Sequence, residues 1–168
     1  CISDSHYVSS EKLDALVASL VEGGPVETVL NAFHETPGEG DIAAYRDEID
    51  LHFSQQSVEQ IIASLKAGGD WAQKTAEKLG RLSPTSLKLT YRQMREGKNL
   101  SLEDALKLEF RIVSQIKAGH DFYEGVRAQL VDKDRNPKWS PAVLEDVRDV
   151  SVDAHFKTPA WGDLSFEG

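Results

Sequence analysis

The residues best suited to chemistry cluster in one run, Gly119-His120-Asp121-Phe122-Tyr123-Glu124-Gly125-Val126-Arg127-Ala128, continued by Val131-Asp132-Lys133-Asp134 and Asn136-Pro137-Lys138-Trp139. A helix beginning near Asp121 advances by roughly 100° per residue and sets Phe122, Val126, Gln129 and Lys133 on one side. An aromatic ring and an ammonium on one face can line a ligand site. The same face can equally be a core face whose lysine snorkels at its edge.

Three weaker signals sit beside it. Glu109 falls near the middle of an apolar arc made by Ala105, Ile112, Val113 and Ile116, where a carboxylate is costly unless paired. It reads either as an acid poised near a ligand or as half of a structural ion pair, with Arg92 or Arg127 as the partner; the pair is the favoured reading. Lys88 and Arg92, one helical turn apart, could attract phosphate or simply face solvent. His6, His34, His52, His120 and His155 have no mutual spacing that predicts a metal site. His120 and Asp121 are neighbours whose side chains diverge on a helix, a poor geometry for a dyad. No nucleophile elbow, phosphate loop or His-Glu-x-x-His signature is present.

The elements that must position these residues read as helices nearly throughout. Leu13, Leu16, Val17, Leu20 and Val21 follow helical spacing after Ser9-Ser10, and Gly23-Gly24 stop the run before Pro25. Val26, Val29, Leu30 and Phe33 repeat the spacing, as do Ile42, Tyr45, Ile49 and Phe53. Ser57-Val58-Glu59-Gln60 has capping-box form, Ser83-Pro84 is a cap followed by a first-turn proline, and Ser101 with Asp104 is a further start. Asp70 can cap the helix that carries Trp71, Thr75 and Leu79. Only residues 1–8 hint at period-two alternation. The expectation is an all-α array of eight or nine amphipathic helices.

Composition narrows the function classes. With 168 residues and 40% hydrophobic content, one respectable core can form. A net charge of -9 argues against a nucleic-acid partner. No apolar run approaches the roughly 18 residues of a membrane span. Cys1 is the sole cysteine, so no intrachain disulfide or thiolate metal cage is possible, and a reducing compartment is expected. The opening Cys1-Ile2-Ser3-Asp4 carries neither an initiator methionine nor a targeting pattern, as expected of the middle of something longer.

The runs Ser83-Pro84-Thr85-Ser86-Leu87-Lys88, Glu109-Phe110-Arg111, Gly119 through Ala128, Asp132-Lys133-Asp134 and Pro137-Lys138-Trp139 resemble the carboxy-terminal part of the 3-hydroxyisobutyryl-CoA hydrolase family, a branch of the crotonase (enoyl-CoA hydratase/isomerase) superfamily. The opening His6-Tyr7-Val8-Ser9-Ser10-Glu11-Lys12-Leu13 resembles the point where that family's core gives way to helices. The resemblance implies three segments: 1–8, the end of the core; 9–82, a helical extension; and 83–168, a carboxy-terminal helical region.

It also implies thioester hydrolysis of an acyl-CoA in valine breakdown, with an oxyanion hole and acids in a core that this chain lacks. No catalytic residue is then expected here, and the chain alone should be inactive. Its implied role is to pack on a catalytic core, upstream or in a partner chain, and to shape the acyl-CoA site. Phe122, Lys133 and His120 are the expected substrate-side residues, and Glu109 with Arg127 the expected buried pair. CoA belongs to the substrate, so no cofactor or metal is expected. A homo-oligomer is compatible with the resemblance; nucleic acid and membrane are not expected partners. The compartment would be the cytoplasm for a bacterial protein and the mitochondrial matrix otherwise. Another crotonase tail and a freestanding helical interaction module are the alternatives.

Overall fold

The computed structural model describes residues 6–40 and 42–166. The expected first segment, 1–8, lies mostly outside the described residues, as does Cys1. Among the described residues there are nine α-helices and no strand. Packing divides the chain into two compact units, Cys1–Asp47 and Glu48–Gly168. The segments 1–8, 9–82 and 83–168 follow family correspondence, a different criterion from compactness.

In the first unit, α1 (Leu13–Glu22) and α2 (Val26–Phe33) form a hairpin. Gly23 and Gly24 make the turn at φ 92° and 139°, backbone that side chains rarely tolerate. Leu16 is its buried anchor. Tyr7 N–H donates to His34 Nδ1 at 3.0 Å, Glu35 N–H returns to Tyr7 O at 2.9 Å, and Lys12 pairs with Glu35. Most of α1 stays open, with Val17 and Val21 exposed.

The second unit is built around α6 (Pro84–Gly97). Ser83 caps it by accepting from Ser86 N–H at 3.1 Å, and Pro84 supplies the first-turn residue that needs no N–H. On one side lies the hairpin of α4 (Val58–Lys66) and α5 (Asp70–Leu79), whose core is Ile61, Leu65, Ala72 and Ala76, with Trp71, Leu79 and Tyr91 against it. Asp70 begins α5 rather than capping it; Gly69 is the cap residue. On the other side, Leu89 joins Leu108 and Ile112 of α7 (Leu102–Ile116) to Val152 and Phe156 of α9 (Asp149–Phe156), with Val147. The starts at Ser57 and Ser101 form as expected, their hydroxyls accepting from Gln60 and Asp104 N–H at 3.2 Å each.

α3 (Arg46–Phe53) places His52 in the second unit, buried and hydrogen-bonded through Nδ1 to Ser64 Oγ at 2.8 Å. Gly68 permits this approach. A Cβ there would stand 2.7 Å from His52 Nε2 and 2.6 Å from the Ala72 methyl.

α7 corrects one expectation. Its buried positions are Leu108 and Ile112, while Leu102, Leu106, Glu109 and Val113 form an exposed flank. The apolar arc is wider than the face the neighbouring helices cover. Glu109 lies on the uncovered side, accepting from Gln93 Nε2 at 3.4 Å. It is not buried and does not pair with Arg127.

Candidate functional site

α8 (His120–Val126) starts after Gly119 and ends in a π-helical turn, Arg127–Val131. The wider turn is closed by Asp132 N–H to Arg127 O at 2.8 Å. The helix therefore does not run on to residue 133, and Lys133 sits in left-handed backbone at φ 57°. Phe122 and Lys133 do not share a helical face, contrary to the expectation from spacing, because the turn changes the register between them.

Phe122 and His120 instead border a groove of about 930 Å³ along α6, together with Leu87, Tyr91, Met94 and, from α9, His155. Lys133 is not among its walls. The lining is mostly apolar, with hydroxyls from Ser83, Thr85, Ser86 and Thr90. His155 donates Nδ1–H to Ser151 O at 2.8 Å.

Asp121 joins three segments. It accepts from the Ser83 hydroxyl at the start of α6, from Ser140 N–H at 2.9 Å, and from His120 Nδ1–H at 3.1 Å. The last bond corrects the expectation that neighbouring residues make a poor pair: in the first turn of a helix the ring folds back onto the adjacent carboxylate. The sequence signal for the rest is the Ser83 cap, which by spacing reads as a cap alone.

Arg127 anchors the loop that follows. Its guanidinium donates to Glu124 through Nε and Nη2 at 2.8 Å each, to Asp132 and Asp134 through Nη1 at 2.7 Å each, and to Asn136 O at 3.3 Å. Glu124 also accepts from Lys138 N–H at 2.6 Å. The Arg127 hydrogen bonds and the Lys138 N–H hold the Glu124 carboxyl down at about 2, and Arg127 itself is raised above the ordinary guanidinium value, chiefly by Glu124. Arg127 also lowers Asp134. Arg127 is partly exposed and pairs with Glu124, Asp132 and Asp134. Trp139 closes the loop, its indole N–H donating to Arg81 O at 2.9 Å and its ring lying over Gly125, where a Cβ would come within 3.4 Å.

Lys88 and Arg92 are engaged structurally. Lys88 pairs with Glu59 at 2.7 Å and donates to Val147 O at 3.1 Å. Arg92 pairs with Glu96 and Asp153 and lies 4.1 Å from the centroid of Phe156. These bonds tie α6 to α4 and α9 and turn both cations toward protein partners.

The family model for enoyl-CoA hydratase/isomerase matches residues 3–156. The chain belongs to that family. This enoyl-CoA hydratase/isomerase chain is 40% identical to the mitochondrial 3-hydroxyisobutyryl-CoA hydrolase of Gallus gallus, in an alignment 171 positions long that covers 95% of this chain. It spans 44% of that relative and corresponds to the carboxy-terminal part. Among solved structures, a carnitinyl-CoA dehydratase from Mycobacterium thermoresistibile superposes with a TM-score of 0.89 at 36% identity, covering 98% of this chain and 47% of the other. An enoyl-CoA hydratase from Rhodobacter sphaeroides superposes at 0.79 with 28% identity, covering 96% of this chain and 47% of that one. The crotonase resemblance carried by the Ser83–Lys88 and Gly119–Trp139 runs is thereby borne out, and so is the all-α fold.

Proposed function

We propose that this chain is the carboxy-terminal part of an acyl-CoA thioester hydrolase that converts 3-hydroxyisobutyryl-CoA into 3-hydroxyisobutyrate and CoA, a step of valine catabolism. The observation that carries the reading is the 40% identity with a hydrolase of that name across 95% of the chain. The chemistry then belongs to a catalytic core that is upstream or in a partner chain, and no residue here is catalytic. CoA enters as part of the substrate, so no cofactor is needed.

The helices complete that core. Exposed apolar side chains support this role: Leu102 on α7 is 77% exposed and Met94 on α6 is 72% exposed, as residues that a further element covers would be. His120 and Phe122 face the substrate from the groove along α6. Lys133, exposed on its loop, serves the CoA end. The mitochondrial name of the Gallus gallus relative favours a mitochondrial protein, in the matrix on this reading; a bacterial protein would work in the cytoplasm. Copies of the whole protein associate as a homo-oligomer in this reading.

The test is release of free thiol from 3-hydroxyisobutyryl-CoA by the protein that includes the core, followed with a thiol-reactive dye. The chain by itself should release none. A second reading is favoured by the 0.89 superposition on a carnitinyl-CoA dehydratase: water addition or elimination on a CoA ester. Appearance or loss of the conjugated enoyl chromophore without thiol release would replace the hydrolase reading with this one.

A further inference from the structure

The loop of residues 132–139 has an unusual construction for an exposed segment. Asp132, Lys133, Asp134 and Arg135 alternate in sign, an order that ordinarily collapses into local ion pairs. Here Arg127 takes both aspartates and Glu124, spending all five of its N–H donors. Lys133 and Arg135 are left with no side-chain partner among the described residues. Both stand in left-handed backbone, at φ 57° and 52°. That conformation is unfavourable for side-chain-bearing residues and persists only where the surroundings over-determine it. The determinants are visible: Arg135 N–H donates to Ala128 O at 3.0 Å, Asn136 N–H to Asp134 Oδ1 at 2.9 Å, and Lys138 N–H to Glu124.

We propose that Arg127 is a positioning residue: its clamp on Glu124, Asp132 and Asp134 keeps Lys133 and Arg135 unpaired and turned outward as a preset pair of cations for the phosphate-bearing end of a CoA ester. The inference rests on the hydrolase reading and adds Arg135 and Arg127 to it. A phosphate monoester or diphosphate suits the pair, since an ammonium offers a point charge and a guanidinium a two-pronged donor. Were the clamp opened, the freed aspartates would draw Lys133 and Arg135 back into local pairs, and the ligand would lose both.

The experiment uses the intact protein with two substrates, the 3-hydroxyisobutyryl ester of CoA and the same ester of pantetheine, which has no phosphate. Arg127→Lys keeps the charge but cannot hold three carboxylates. It should raise KM for the CoA ester five-fold or more while leaving KM for the pantetheine ester within two-fold. Asp134→Asn, a milder opening of the clamp, should act the same way to a smaller degree and decides the matter should Arg127→Lys fail to fold. Lys133→Ala and Arg135→Ala should each lower the salt dependence of KM for the CoA ester, and Lys133→Ala combined with Asp134→Asn should be less than additive. Equal losses on both substrates mean a purely structural clamp and overturn the proposal while the hydrolase reading stands. The proposal also falls, with the hydrolase reading intact, if Lys133→Ala raises KM and the clamp variants do not. Absence of thiol release by the unaltered protein overturns both.

Discussion

Gly68→Ala isolates one contact and predicts its sign. The backbone at Gly68 lies outside the left-handed region, so alanine meets no conformational penalty. The added carbon would stand 2.6 Å from the Ala72 methyl and 2.7 Å from His52 Nε2. Carbon pairs rest at about 3.5–4.0 Å, so the overlap is about 1 Å. Ala72 has no rotamer by which to withdraw, and His52 is held through Nδ1 by Ser64. Overpacking of this kind costs about 1–3 kcal/mol. Loss of glycine freedom in the unfolded chain returns about 0.4–1 kcal/mol. The expected net loss is about 1–2 kcal/mol, read as a lower urea midpoint at unchanged slope. Ala72→Gly in the same molecule removes one clashing atom, at a helix-propensity cost of about 1 kcal/mol by itself. The pair should therefore be more stable than the sum of the single changes, by about 0.5 kcal/mol or more. A Gly68→Ala protein as stable as the parent, or a strictly additive cycle, would refute the packing at the head of α5.

Three further outcomes follow from the same geometry. Ser83→Ala removes the α6 cap and one of the three hydrogen bonds to the Asp121 carboxylate, and should lower stability by about 1–2 kcal/mol in denaturant titrations. Trp139→Phe drops the bond to Arg81 O and loses the far edge of the indole that reaches Gly125, and should cost at least about 1 kcal/mol by the same measurement. Glu124 has its folded value at about 2, below its unfolded one. The stabilisation it gives is therefore complete above the unfolded value of about 4.3 and fades as pH falls toward 2. A stability profile taken across that acid window should drop, and Glu124→Gln should flatten it; a wild-type profile no steeper than the variant's would contradict the clamp.

Helix positions are legible in the sequence because they depend on near neighbours. Ser57, Ser83 and Ser101 each announce a start three residues ahead of the N–H they accept, and the structure uses all three. Glu109 escapes such reasoning because periodicity measures how apolar an arc is, not how much of it neighbours cover. Leu102, Leu106 and Val113 share that uncovered flank, a fact visible only once α6 and α9 are in place. Lys133 escapes it because the π turn is stabilised by Arg127 reaching forward to Asp132, Asp134 and Asn136, contacts that leave no trace in hydrophobic spacing. The partners of Asp121 are hidden for the same reason: Ser83 and Ser140 are distant in sequence.

The π turn at Arg127–Val131 also makes this stretch intolerant of a change in length. Removing one residue from it would let the helix close with ordinary spacing, and every position beyond would swing by about 100° around the axis. Asp132 and Asp134 would leave the reach of Arg127, and Trp139 would come off Gly125. Point substitutions at the exposed Gln129, Leu130 and Val131 are survivable by comparison. In this part of the chain the count of residues is held more tightly than their kind, and single-residue deletions should be tolerated at the exposed Glu39 or Gly40 far sooner than between 127 and 131.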